Sequence, residues 1–143
     1  MEELMLLRKM VEEHDYEGAL SIINELDEMA KDDKINKVES FLTILLIHLV
    51  KQHAEQRTTK SWNRSIDNAL DGIVKSNKRR SAGGYYLRFE EFPTLIDETF
   101  PSAVRNAAYE AFEGDYSPDQ LAAMINADQI KQDAYNRIMA YRL

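Results

Sequence analysis

Histidine is where catalysis or metal binding would show first, and the chain has three: His14, His48 and His53. His48 and His53 are five residues apart, about 140° out of line on a helix. They cannot face one metal ion as the two histidines of an H-E-x-x-H helix do. A di-iron helical bundle would need Glu-x-x-His on two helices, and neither copy is present. The acidic pairs Glu12-Glu13, Asp27-Glu28 and Asp97-Glu98 are sequence neighbours, so the members of each pair point to different helix faces. No G-x-S-x-G elbow and no phosphate-binding P-loop occurs, and cysteine is absent. We therefore expect no catalytic residue, no metal site and no cofactor. An enzyme would need carboxylates gathered from distant helices, which no spacing rule reveals.

The second place is the basic middle of the chain. Residues 57–88 carry eight basic side chains and two acidic ones, a balance of +6, between acidic flanks of −7 (residues 1–56) and −6 (residues 89–143). Lys78, Arg79 and Arg80 have no acidic neighbour in sequence, so they are the candidate contacts for an anion or a nucleic acid. Trp62, Tyr85, Tyr86 and Phe89 stand near enough in sequence to stack on bases. Against this, Asp67 and Asp71 lie at helical spacing from Arg64, Lys75 and Lys78 and would neutralise that face. The overall pI of about 5.0 is also unlike that of strong nucleic-acid binders.

The elements that must position these groups are helices. Leu4, Leu7, Met10 and Val11 predict a helix over 2–14. Asp15 is placed to cap a second, whose stripe runs through Ala19, Ile22, Ile23, Leu26, Met29 and Ala30 to about residue 31. Asp32 and Asp33 predict a boundary, and a third helix follows from about Lys34 to Glu55. Its centre, Phe41 to Val50, is apolar on nearly every face and must form the core. At ten residues it falls short of the ~20 that cross a bilayer. A fourth helix begins near Ser61 and buries Trp62, Ile66, Ala69, Leu70, Ile73 and Val74. It ends in the loop SNKRRSAGG, and YYLRFEEFP, residues 85–93, reads as irregular or helical, since a lone strand would have no partner. Pro93 and Pro101 each predict a helix start, with the second helix covering Ser102 to Glu113. Ser117-Pro118-Asp119-Gln120 is a capping box opening the last helical stretch. The expectation is one all-α domain over residues 1–143: a bundle of five to seven helices around a buried hairpin at about 34–75.

LLRKMVEEHDYEGALSIINELDEMAK, then HLVKQ from His48, then KSWNRSI from Lys60, fall in the order typical of the bacterial, largely cyanobacterial family catalogued as domain of unknown function twenty-nine. The chain resembles that family over about residues 4–126. His48, Leu49, Lys51, Ser61, Trp62, Ser65 and Ile66 stand at its motif positions. The resemblance implies an all-helical fold and a bacterial source; it implies no activity.

Function is therefore expected to be a non-enzymatic helical interaction or accessory module, self-associating or bound to a partner subunit. The competing expectation is an antitoxin-like, nucleic-acid-associated regulator using residues 57–88. A start that is acidic and amphipathic, unlike a signal peptide, and the lack of cysteine point to the cytoplasm without a membrane partner.

Overall fold

The computed structural model describes residues 2–79 and 83–141. Among the described residues, six α-helices follow one another: α1 Glu2–Glu12, α2 Tyr16–Glu55, α3 Lys60–Asn77, α4 Phe92–Glu110, α5 Pro118–Ala123 and α6 Ala127–Ala140. The fold is all-α, as expected. Contacts cluster into two compact units, Met1–Lys34 and Ile35–Leu143.

The first unit is a tight helical corner. His14 takes a left-handed backbone (φ 61°), its N–H donates to Val11 O, and the Asp15 N–H donates to Met10 O. These two bonds close the end of α1 as a Schellman motif, with histidine where glycine is usual. The Asp15 carboxylate then accepts the Gly18 N–H at 3.0 Å and starts α2, as its position predicted. Gly18 has no room for a side chain: a Cβ would meet Asp15 Oδ2 at 2.5 Å and Met10 Sδ at 3.0 Å.

Two predicted boundaries are absent. Helix α2 runs through Asp32 and Asp33 without a break. Aspartate in a helix interior costs only ~0.7 kcal/mol. No glycine or proline stands between Ala19 and Glu55, and Asp33 and Lys37 sit at the favourable i,i+4 spacing. Likewise α4 passes through Pro101 instead of restarting there, and it ends at Glu110, not Glu113. Proline removes the bond to the carbonyl one turn back. Here both Pro101 and Asp97, which owns that carbonyl, are on the exposed face of the helix, where losing a hydrogen bond costs less than in the core. Ile96, Phe100, Ala103, Val104 and Ala107, buried on the opposite side, hold the helix together across it.

The core belongs to the second unit. Val38, Leu42, Leu45, Leu46, Leu49 and Val50 of α2 pack with Ile66, Ala69, Leu70 and Ile73 of α3, the hairpin expected at 34–75. Phe92, Ile96 and Ala103 of α4, Leu121 of α5, and Ile130, Ala134 and Ile138 of α6 complete it. Within the apolar run only Ile44 is truly exposed. Gly72 brings α3 close to α2, since a Cβ there would lie 2.6 Å from the Phe41 ring. Thr59 caps α3, accepting the Trp62 N–H at 3.0 Å.

The described residues between α3 and a 3-10 turn at Phe89–Glu91 are irregular, apart from an antiparallel bridge between Lys78 and Tyr85. Asn77 anchors this stretch. Its side chain is buried, donates to Leu87 O at 3.0 Å and accepts the Leu87 N–H at 2.7 Å. Asn77→Ala leaves both Leu87 groups buried without partners, so a loss of ~2–4 kcal/mol is expected by urea denaturation. A variant as stable as wild type would show that the segment re-forms its bonds elsewhere.

Candidate functional site

His48, Lys51 and Trp62 are close neighbours, on the facing turns of α2 and α3. Lys51 is only 5% exposed. Its ammonium lies 4.7 Å from the centre of the Trp62 ring and donates to Glu110 Oε1 at 3.3 Å, from the last residue of α4. The Arg57 guanidinium lies 4.7 Å from the same ring and donates to Glu55 Oε1. Trp62 is thus a buried plate with two cations against it, each compensated by a carboxylate. Ser61 is exposed on the first turn of α3 and does not join the cluster's bonds.

The Glu55 carboxylate also accepts the Phe112 N–H at 3.3 Å. That bond secures an unusual turn after α4. Phe112 (φ 50°, ψ 36°) and Glu113 (φ 58°, ψ 24°) are consecutive left-handed residues before Gly114 (φ 80°). Left-handed non-glycine residues cost ~1–2 kcal/mol each. The turn persists because Glu55 holds its first N–H and Phe112 packs edge-on to Tyr116.

His48 sits half-buried beside this cluster. Its Nδ1 is buried and has no hydrogen-bond partner among the described residues. Desolvation, then the Lys51 charge, push its pKa below the ordinary value, against a smaller opposing pull from Glu110. Neutral His48 therefore favours the folded state. Its contribution is complete above about pH 6.5 and is lost as pH falls below that value, because the unfolded chain takes up the proton first. The melting temperature should fall between pH 7.5 and 5.5, and less steeply in His48→Gln. Equal slopes would remove His48 from the acid response.

Among the described residues, no hydroxyl or carboxylate is hydrogen-bonded to His48 Nδ1, and the Lys51 ammonium is paired with Glu110 and lies against the indole. Among the described residues, no three histidine or acidic groups converge as a metal ion would need. His53 is half-buried, with Nε2 3.8 Å from Asp133 Oδ2 in a cleft of about 470 Å3 that Arg137 and Gln129 also line.

Part of the basic segment is paired with acidic or aromatic groups. Lys75 pairs with Asp71 at 2.9 Å, and Tyr141 donates to the same carboxylate at 3.2 Å. The Lys75 hydrogen bond, above all, holds the Asp71 pKa below its ordinary value. Lys78 is exposed. Arg79 is half-buried with its guanidinium 5.3 Å from the Tyr86 ring centre. Arg80 lies outside the described residues.

The first unit is different in kind. Leu4, Met5, Leu6, Val11, Tyr16, Leu20, Ile23 and Met29 are all exposed there, and Ala19 is its only buried apolar residue among those described. Tyr16, Leu20 and Ile23 share one face of α2 at i, i+4 and i+7. Ala19, Ile22 and Leu26 form a second stripe roughly a quarter-turn round the helix. This first unit, the hairpin of α1 with the start of α2, is apolar on more faces than it covers.

Residues 3–130 match the family model described as domain of unknown function DUF29. The chain belongs to the DUF29 family. The match takes in α1 through the first residues of α6 and includes the Lys51–Trp62 cluster and the exposed hairpin. No curated protein and no solved structure matches it. Among the described residues, no helix is long and apolar enough to cross a membrane.

Proposed function

We propose that this DUF29 chain is a non-enzymatic helical interaction module that docks through α1 and the part of α2 preceding Lys34. The observation that carries this reading is the exposed apolar surface of the hairpin. Eight of the fourteen exposed large apolar side chains described fall within residues 1–34, about a quarter of the chain. Scattered exposed leucines are ordinary, but a concentration at helical spacing marks an interaction surface. Covering Leu20 and Ile23 would contribute ~1 kcal/mol or more each. The Lys51–Trp62 cluster has a structural role in this reading, fixing α2, α3 and the end of α4 together. The lack of cysteine fits a reducing compartment, and the reading assigns the module to a bacterial, cyanobacterial cytoplasm.

Because Leu20 and Ile23 are exposed, Leu20→Ser with Ile23→Ser should leave the melting temperature within a degree or two. In a native lysate the wild-type chain should elute in an assembly larger than its own 16.6 kDa, and the double variant as the free chain. Identical elution of the two would refute the docking role.

A further inference from the structure

The charge of this protein is divided in a way that specifies the partner. Residues 1–34 carry eleven acidic and four basic side chains, a net −7, whereas residues 35–143 carry fourteen of each and sum to zero. The net negative charge of the chain therefore equals that of the unit whose apolar residues are uncovered. On α2 the exposed Tyr16, Leu20 and Ile23 are accompanied by exposed Glu17 and Glu28, with Glu12 and Glu13 at the corner before it.

We infer that the α2 face formed by Tyr16, Leu20 and Ile23 receives a basic amphipathic helix of a partner protein. This rests on the interaction reading above and adds the chemistry of the occupant. Anchors at i, i+4 and i+7 suit a helix laid along a helix, with apolar side chains at the seam. The acids beside the seam call for lysines and arginines on the partner's flanks, which would steer the encounter and fix its register. A second copy is the poorer occupant: it would press one −7 unit against another. An anionic lipid surface is repelled for the same reason.

The test uses the full chain and two labelled synthetic amphipathic helical peptides with one leucine stripe in common. One has lysine and arginine on its flanks, and its twin has glutamate. Fluorescence anisotropy should show the basic peptide binding, its affinity falling roughly tenfold from low to physiological salt as the charges are screened. The acidic twin should not bind. Leu20→Ser with Ile23→Ser should weaken the basic peptide roughly thirtyfold or more. Glu17→Gln with Glu28→Gln should weaken it at low salt and flatten the salt dependence. Equal binding of both peptides would overturn the inference, as would self-association of the chain through this face that strengthens with salt. If the lysate assembly depends on Leu20 and Ile23 while the basic peptide does not bind, the partner's chemistry is refuted and the docking role stands. Failure of both refutes both.

Discussion

Leu49→Asp should abolish folding. Leu49 is fully buried in the centre of α2 among the side chains of the core. The substitution removes leucine packing worth ~2–5 kcal/mol. It also buries a carboxylate with no partner built for it, at a further cost of several kcal/mol. Together these match the ~5–15 kcal/mol that a domain of this size has in total. Circular dichroism should show loss of the cooperative melt, and Leu45→Asp should behave alike. Ile44→Asp is the internal control: one residue from Leu45 but 40% exposed, it should change stability by ~1 kcal/mol or less. A cooperative wild-type melt for Leu49→Asp would mean that α2 does not pack as described.

Trp62→Ala should be the most costly single truncation outside the aliphatic core. The indole is 9% exposed and joins α3 to α2. Emptying its site costs ~3–5 kcal/mol. It also removes the ring against which Lys51 and Arg57 lie, a contact worth ~0.5–2 kcal/mol per cation. Because Trp62 is the only tryptophan, wild-type emission should be blue-shifted and resistant to acrylamide. The variant's loss is then read from the urea midpoint by circular dichroism. Red-shifted, easily quenched emission in the native protein would contradict the burial.

Much of this was legible in the sequence because it is local. The apolar run from Phe41 to Val50 could only be a core. Asp15 and the Ser117–Gln120 box announce their caps by residue type and spacing, and both caps are present. The misread boundaries at Asp32–Asp33 and Pro101 share one cause: a weak local breaker was overruled by tertiary packing or by propensity on either side. The site was legible only in part. His48, Lys51 and Trp62 were marked by the family motif, but Glu110, 59 residues from Lys51, joins through the return of α4. Asn77 looked like an ordinary loop residue until Leu87 was found folded against it. Periodicity also identified the apolar stripes of α1 and α2. It could not say that they stay uncovered, because spacing tells which residues share a face and not what lies against it.

Docking through the acidic, apolar hairpin of the first unit and docking through the basic segment are separated by one measurement. A photoreactive amino acid is introduced at Leu20 in one variant and at Lys78 in another, both exposed positions, and each is irradiated in the living cell. The account predicts a discrete protein adduct at Leu20 and no nucleic-acid adduct at Lys78. Nucleic acid attached at Lys78, with Leu20 forming no adduct, would contradict it.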